Sequence, residues 1–300
     1  MASAGRILAA TLDLIQGNVR PGITTGELDK LAERFIRSQG ATPTFKGYRG
    51  FPGSICASPG AMIVHGIPGP HRLSRGEIIS IDIGVTLDGW VADAARTFAV
   101  EEIGEQTRNL LEATEEALHA GVAQCRAGNR MGDLSATVQQ VAEDAGLSVV
   151  RSLVGHGVGR SMHEDPQVPN YGRPGKGPLL EEGMVLAIEP MTTAGKPGVR
   201  VGGDGWAIYS QDGSPAAHFE FTVAITGQDG YSADQAIPFT TNPGAYTLGV
   251  CPAGGMEPIC SLSPTAVPEV MDTITPPGVS QDTELNPIPG PVVLQGVTAP

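Results

Sequence analysis

The chain has 300 residues, 40% of them hydrophobic, and a formal net charge of -13, which argues against nucleic acid as the main partner because phosphate binding needs clustered Lys and Arg. No apolar run approaches the roughly 20 residues that a membrane-spanning helix needs, so no membrane partner is expected. The four cysteines are scattered without a CxxC pair, which disfavours a disulfide scaffold and favours a reducing cytoplasm.

In chain order, the apolar pattern predicts two helices, a pair of strands, two more helices and a further set of strands. The apolar residues that define the four helices span residues 7–19, 28–36, 110–122 and 134–145. Thr24 and Glu27 have the spacing of a capping box at the start of the second helix. Strand-like runs occupy residues 61–65, 78–87, 90–100, 147–154, 184–191, 206–210 and 217–226.

The last 65 residues differ in composition from the rest of the chain. Ala236 to Pro300 hold 12 of the 25 prolines and no basic residue, and the last basic residue of the chain is Arg200. This stretch has no sustained hydrophobic period, which favours a Pro-rich, acidic, disordered tail over a small appended module. The expected division is therefore a folded domain over residues 1–235 and a tail over residues 236–300.

An internal repeat relates the two parts of the expected domain. The stretch "RPGITTGELDKLAERFIRSQG" from residue 20 matches "RAGNRMGDLSATVQQVAEDAG" from residue 126, with five identical positions at an offset of 106. Strands with embedded acids follow each copy. "EIISIDIG" (77–84) parallels "GMVLAIEP" (183–190), an offset of 107 superposes Asp82 on Glu189, and Asp93 and Glu220 lie in comparable arms. The chain is thus interpreted as two related halves, each with helices followed by a hairpin that holds two carboxylates.

The first hairpin places two aspartates where strands disfavour them. A two-residue turn at Asp88-Gly89 sets a register in which Asp82 and Asp93 lie on one face as diagonal neighbours, about 7–8 Å apart between backbones. Two unpaired carboxylates on a buried face are costly, so a shared metal ion is an economical explanation. The hairpin by itself, however, favours a solvated strand face or a simple salt bridge.

The residues of the second half favour a metal site over a solvated strand face or a salt bridge. Glu189 and Glu220 lie in apolar runs without an obvious counter-charge, and "GHGVGRSMHEDP" (155–166) supplies His156 and His163 in a Gly-rich loop. Four carboxylates and one histidine suit two divalent ions, with Co, Mn, Fe and Zn all compatible. Carboxylates can bridge two ions about 3.5–4 Å apart, a spacing at which a shared water becomes a nucleophile for amide hydrolysis.

Other residues of chemical interest receive simpler interpretations. Three histidines are interpreted as surface or packing residues: His71, His119 and His218. The stretch "TFKGYRGFPGS" (44–54) mixes aromatic residues with glycines, which suggests an irregular loop whose rings line a site, although such rings belong to a core more often. Cys56 near His65 is disfavoured as a thiol nucleophile because a metal-type set of acids is nearby.

Taken together, five ordered motifs resemble a known family over about residues 3–230. They are "MIVHGIP" (62–68), "IDIGVTLDGWVADAARTF" (81–98), "GHGVGRSMHEDP" (155–166), "LAIEPM" (186–191) and "HFEFTVAIT" (218–226). The chain resembles the type I methionine aminopeptidases, which have the creatinase-like or pita-bread fold. The resemblance implies an α+β chain whose two pseudo-symmetric halves pack helices on a curved, mostly antiparallel sheet.

The resemblance also implies a set of site residues. The family's metal ligands map onto five positions: Asp82, Asp93, His156, Glu189 and Glu220. One ion would be held by all of these except Asp82, and the other by Asp82 together with the bridging Asp93 and Glu220. Glu189 would also carry a proton, His163 would steady the oxyanion, and His65 would contact the scissile amide. The methionine pocket corresponds to Phe45, Tyr48, Phe51, Cys56, Met162 and Trp206.

The function implied is removal of the N-terminal methionine from nascent or newly made proteins whose second residue is small, through a water activated by two metal ions. The expected partner is the N-terminal peptide of a nascent chain, with the ribosome exit region as a further candidate, and the expected state is a cytoplasmic monomer. An X-Pro aminopeptidase or dipeptidase is disfavoured because Asp82 comes too early for the large preceding domain of those enzymes. A non-catalytic peptide-binding relative is disfavoured because all five ligand positions are present.

Overall fold

A computed structural model of the chain describes residues 1–226, so the tail predicted over residues 236–300 lies outside the described residues. Four α-helices are present in this range: α1 (Ala2–Gln16), α2 (Thr25–Ser38), α3 (Glu105–Val122) and α4 (Met131–Asp144). The strands are β1 (Thr42–Pro43), β2 (Cys56–Pro59), β3 (Met62–Val64), β4 (Ile78–Leu87), β5 (Trp90–Ala99), β6 (Ser148–Val149), β7 (Gly155–Gly157), β8 (Glu164–Val168), β9 (Val185–Ile188), β10 (Met191–Thr193), β11 (Val199–Val201), β12 (Ile208–Ser210), β13 (Ala216–His218) and β14 (Phe221–Ala224).

Every named strand pair in this range is antiparallel. In the first half, β4 has β5 on one edge and β1 and β2 on the other. In the second half, β14, β9, β7 and β8 form a sheet in that order, and β13, β10 and β6 form another. The halves meet where β5 lies beside β13 and β14, and a hydrogen bond from Glu220 N to Ala95 O (2.9 Å) joins them there.

Each half has its own hydrophobic core between helices and strands. In the first half, α1 packs on β4 and β5, and α2 packs against α1. In the second, α3 and α4 pack together, and α3 also contacts β9, β10 and β13. None of the helices in residues 1–226 combines the length and the apolar character needed to span a bilayer.

The backbone confirms the repeat that the sequence predicts. Helices α2 and α4 begin and end at positions 106 residues apart, and each starts with a side chain at its third position bonded back to the capping residue, Glu27 to Thr24 N and Asp133 to Arg130 N (both 2.8 Å). Glycines at repeat-related positions share a left-handed backbone, with φ of 87° at Gly22 and 96° at Gly128. The two halves therefore share the same helix capping and the same left-handed glycine conformation.

The first hairpin has the predicted register. Leu87 pairs with Trp90 across the two-residue turn, and Asp93 pairs with Gly84. Asp88 adopts φ 51° and Gly89 φ 72°, the left-handed conformation that such turns require. Asp82 pairs with Ala95, so the two aspartates of the site lie on the same face as diagonal neighbours.

The second half departs from the predicted strands at its two acids. The run predicted over residues 184–191 divides into β9 and β10, and the run over 217–226 divides into β13 and β14. Glu189 and Glu220 lie at these breaks rather than inside strands, and Glu189 is followed by Pro190, which has no N–H for a ladder bond. Of the strand predicted over residues 147–154, only residues 148–149 form a strand, β6. His156 is predicted in a Gly-rich loop but lies in β7.

Candidate metal centre and substrate pocket

A single cavity of about 870 Å³ brings together every residue that the sequence assigns to the site. The lining includes the predicted metal ligands Asp82, Asp93, His156, Glu189 and Glu220, the predicted donors His65 and His163, and the predicted pocket residues Phe45, Tyr48, Phe51, Cys56, Met162 and Trp206. Both halves contribute lining residues, because β5 of the first half lies beside β13 and β14 of the second. Positions that are far apart in the chain therefore converge on one site.

The backbone around the carboxylates is held firmly. Asp93 N donates to Thr222 Oγ1 (3.0 Å) and Thr222 Oγ1 donates to Asp93 O (2.8 Å), so β14 clamps the strand that carries Asp93. Asn170 Nδ2 donates to Glu189 O (2.9 Å) at the break after β9. These bonds fix the main chain at the acids and leave the carboxyl groups free to face the cavity.

The carboxyl groups are buried with unsatisfied oxygens. Asp93 is 3% exposed and Glu220 is 1% exposed. Asp82 Oδ1, Asp93 Oδ1 and Glu220 Oε1 have no hydrogen-bond partner. Because an unpaired buried charge is costly, a group that compensates several carboxylates at once belongs here.

The pKa values of the acids reflect the same crowding. Burial raises the pKa of Asp82 to about 7. Burial, followed by the charges of Glu220 and Asp82, holds the pKa of Asp93 well above its usual range. Burial and neighbouring carboxylates also hold the pKa values of Glu189 and Glu220 well above their usual range. The protein alone therefore keeps protons among these acids, which a divalent cation would displace.

His156 presents a ring nitrogen to this group of acids. Its Nδ1 lies 2.9 Å from Gly157 O and donates to it, so Nε2 carries the lone pair. That Nε2 lies 3.6 Å from Glu189 Oε1 and 3.8 Å from Asp93 Oδ2. Fixing the tautomer through the second nitrogen is the usual arrangement for a metal-binding histidine.

A divalent cation fits the donor set. Ligand atoms of Asp93, His156 and Glu220 all lie within 4.8 Å of one another, and all three residues are buried. Carboxylate oxygens with one imidazole nitrogen suit borderline divalent ions such as Mn, Fe, Co or Zn. The unsatisfied oxygens and the raised carboxyl pKa values are both relieved by such an ion.

Two further histidines flank the acids. His65 has φ 60°, uncommon outside glycine, directly before the tightly packed Gly66. His163 lies just before β8, with Nδ1 2.9 Å from the Tyr48 hydroxyl and its ring 4.2 Å from the His156 ring. Burial lowers the pKa of His65 to about 4 and that of His163 to about 3, so both are neutral near pH 7.

The other end of the cavity is apolar. Phe45, Phe51, Cys56 and Met162 are buried in one cluster, and Trp206 packs edge-on against Phe51 with ring centroids 5.2 Å apart. Aromatic rings and sulfur form a wall that suits a flexible thioether chain. The two interpretations given to these rings, core and site lining, are compatible, because the rings belong to one hydrophobic cluster and also line the cavity.

Comparison with known proteins identifies the family. The model for metallopeptidase family M24 matches residues 1–227. A methionine aminopeptidase of Clostridium perfringens is 52% identical over 225 residues, covering 75% of this chain and 90% of the relative. The chain belongs to the methionine aminopeptidases. Methionine aminopeptidase 1 of Bacillus subtilis is similarly close, 51% identical with 75% of this chain and 91% of the relative covered.

A solved structure confirms the fold of this methionine aminopeptidase. The crystal structure of methionine aminopeptidase from Rickettsia prowazekii superposes with a TM-score of 0.76 and 38% identity, covering 79% of this chain and 94% of that one. The type I resemblance and the pita-bread architecture are thereby confirmed, and membership of a metallopeptidase family implies use of divalent metal. A second family model, the SLH-like C-terminal binding module of glucodextranase, matches residues 209–291, most of which lie outside the described residues.

His218 lines the aminopeptidase cavity, although the sequence does not assign it to the site. His218, interpreted as a surface or packing residue, lies 1% exposed at the end of β13, with Nε2 3.6 Å from Glu189 Oε2 and 3.9 Å from Glu220 Oε2. Neither ring nitrogen has a hydrogen-bond partner. His218 lies two residues before Glu220, and this spacing is the signal that the sequence offers. The strand ends between the two residues, and the alternating pattern of a strand does not show where it ends.

Proposed function

We propose that this enzyme removes the N-terminal methionine from newly made proteins whose second residue is small. The observation that carries the proposal is the joining, in one cavity, of a buried acid and histidine cluster to an apolar pocket lined by Phe45, Phe51 and Met162. The acid cluster supplies hydrolytic chemistry, and the pocket supplies selection for an unbranched side chain with sulfur. The names of the relatives point to the same substrate class.

We propose two divalent ions, of Co, Mn, Fe or Zn, held by the chain's own acids. One would be bound by Asp93, His156, Glu189 and Glu220, and the other by Asp82, Asp93 and Glu220. The four carboxyl groups with raised pKa values support two ions rather than one, because a single divalent charge leaves part of the repulsion uncompensated. Such ions supply a water of lowered pKa and a Lewis acid for the scissile carbonyl.

The roles of the neighbouring side chains follow from their protonation states. Glu189 holds a proton in the metal-free cluster and would be a carboxylate once the ions displace that proton, so it could take the proton of the attacking water and pass it to the leaving amine nitrogen. His163, neutral because of burial, donates a hydrogen bond to the oxygen that becomes negative in the tetrahedral intermediate. His65, also neutral, lines the same cavity and would contact the scissile amide.

We propose that the enzyme acts as a monomer in the cytoplasm, on nascent chains near the ribosome exit region. The monomer is supported by the cavity, since one chain supplies all of the predicted metal-binding, catalytic and pocket residues that line it. Cys56 and Cys125 are buried free thiols, as expected in a reducing compartment. The substrate is then the N-terminal peptide of a nascent protein.

The test of the proposed function is cleavage of short peptides. After chelator treatment and addition of Co or Mn, we expect release of methionine from Met-Ala-Ser and at least a hundredfold lower kcat/KM for Met-Lys-Ser, because about 3 kcal/mol of clash or desolvation accompanies a large second residue. Chromatography of the released amino acid measures both. Equal cleavage of the two peptides, activity indifferent to chelator, or preferential cleavage of Ala-Pro-Ser would each contradict the proposal.

The domain division yields a second test. We propose that the catalytic domain is residues 1–235, since the family match ends at residue 227 and the Clostridium relative is covered to 90% of its length by 225 residues. Removal of residues 237–300 should leave kcat/KM for Met-Ala-Ser within about twofold and the melting temperature nearly unchanged. Loss of activity or of cooperative unfolding in the shortened protein would place part of the domain in that segment.

A further inference from the structure

Tyr48 links the apolar pocket to one of the histidines of the site. Its hydroxyl lies 2.9 Å from His163 Nδ1, and the two rings stack with centroids 5.6 Å apart and planes inclined by 21°. The same tyrosine ring packs against the buried cluster that contains Phe45 and Phe51. One side chain therefore contacts the methionine pocket with its ring and His163 with its hydroxyl.

The loop that carries Tyr48 is closed by hydrogen bonds within its own main chain. Gly47 N donates to Phe51 O (2.8 Å), Tyr48 N donates to Phe45 O (2.9 Å), and Phe51 N donates to Tyr48 O (2.9 Å). Gly47 has φ 86°, so the turn before Tyr48 needs the conformational freedom of glycine. The main-chain position of Tyr48 is thus set by bonds within the loop, and the ring is packed against the buried cluster.

A neutral imidazole carries its proton on one nitrogen only, and the partner of the other nitrogen decides which one. A phenol hydroxyl is a good donor, and the Tyr48 hydroxyl faces Nδ1 at hydrogen-bonding distance. If Nδ1 accepts from Tyr48, the ring proton lies on Nε2, at the opposite edge of a ring that lines the cavity. In the other tautomer, Nε2 presents a lone pair, which cannot stabilise a developing oxyanion.

We propose that Tyr48 is a positioning residue that donates its hydroxyl proton to His163 Nδ1 and so fixes the Nε2–H tautomer of that histidine. The proposal rests on the role proposed above for His163 in the aminopeptidase reaction. It assigns two separable contributions to one tyrosine. The ring helps to bind methionine, and the hydroxyl keeps a hydrogen-bond donor aimed at the reacting carbonyl.

The experiment compares the wild-type enzyme with Tyr48→Phe, which keeps the ring and removes the hydroxyl. We expect kcat for Met-Ala-Ser to fall about tenfold with KM changed less than about twofold, since direct removal of an oxyanion donor costs about a hundredfold or more and loss of its orientation costs less. Nitrogen-15 NMR of the histidines in the zinc-loaded full-length protein, with the His163 signals assigned through His163→Gln, reports the tautomer without measuring activity. The wild type should show the Nε2–H form, and Tyr48→Phe a mixture.

The control variant is Tyr209→Phe, which removes a phenol hydroxyl from β12, where the ring stacks under Arg200 outside the cavity lining. It should change neither kcat nor the His163 signals. An Nδ1–H tautomer in the wild type, or an unchanged kcat in Tyr48→Phe, would overturn the proposal. Both results leave the proposed aminopeptidase function standing, because that function is decided by the peptides cleaved by the wild type.

Discussion

Replacement of Asp93 by asparagine should lower kcat/KM for Met-Ala-Ser by about a thousandfold or more, which corresponds to a loss of about 4 kcal/mol of transition-state stabilisation. Asp93 interacts with several members of the cluster, because burial and then the charges of Glu220 and Asp82 raise its pKa, and its Oδ2 lies 3.8 Å from His156 Nε2. An amide cannot bridge two cations as a carboxylate does. Asp93→Ala should have the same effect, with a cavity added.

The same substitution should stabilise the metal-free protein, and the gain should depend on pH. A carboxyl whose pKa is raised on folding contributes stability that is present below its unfolded pKa of about 4 and is lost as pH rises through its folded value. Asp93 in the wild type therefore destabilises the metal-free protein at pH 8 and much less at pH 5. In chelator, the melting temperature of Asp93→Asn should exceed that of the wild type by more at pH 8 than at pH 5. Added Mn should strongly raise only the wild-type melting temperature.

Asp88→Asn is the matched control for this substitution. Asp88 lies at the turn of the same hairpin with φ 51°, a conformation that asparagine also adopts readily, and it lies outside the cavity lining. Its activity and its melting temperatures at both pH values should match those of the wild type. If Asp93→Asn kept near-normal activity, or lost stability in chelator at pH 8, the assignment of Asp93 to the centre of the metal site would be wrong.

The placement of Asp82 and Asp93 on one face could be predicted from local signals alone, although the hairpin by itself does not predict a metal site. The Asp88-Gly89 turn fixes the register of a hairpin, and a register determines which side chains share a face. Asp82 and Asp93 could therefore be placed together from the amino-acid sequence of the hairpin. The repeat could be predicted for a similar reason, since capping residues and left-handed glycines recur at a constant offset.

The positions of Glu189, Glu220 and His218 depend on tertiary contacts, which the hydrophobic pattern of the sequence does not reveal. Glu189 and Glu220 lie at strand breaks, and the backbone there is held by Asn170 and by Ala95 of the other half. His218 enters the site because Thr97 Oγ1 bonds both its N–H and its carbonyl (each 2.9 Å) from the neighbouring strand. Hydrophobic periodicity describes one segment at a time, so it cannot locate a break that is made by a distant partner.

Replacement of Gly66 by alanine should damage both stability and activity. A Cβ at this position would lie 2.1 Å from Ala57 O and 2.8 Å from Ala57 C, and these backbone atoms belong to β2, which is itself paired with β4. The clash cannot be relieved by rotating a side chain, so we expect the free energy of unfolding to fall by about 3 kcal/mol. Chemical denaturation of the metal-loaded protein measures this loss.

The activity of Gly66→Ala should also fall in molecules that remain folded, because the clash moves the residue next to it. Gly66 is held to β2 by bonds from Gly66 N to Ser58 Oγ (3.1 Å) and from Ala57 N to Gly66 O (2.9 Å), and these bonds also hold His65 in its left-handed conformation. A displacement of about 1 Å at a positioning contact costs on the order of a hundredfold in kcat/KM. Gly203→Ala, whose Cβ meets nothing within 4 Å, should change neither quantity. Equal behaviour of the two variants would mean that the tight packing at Gly66 does not determine the position of His65.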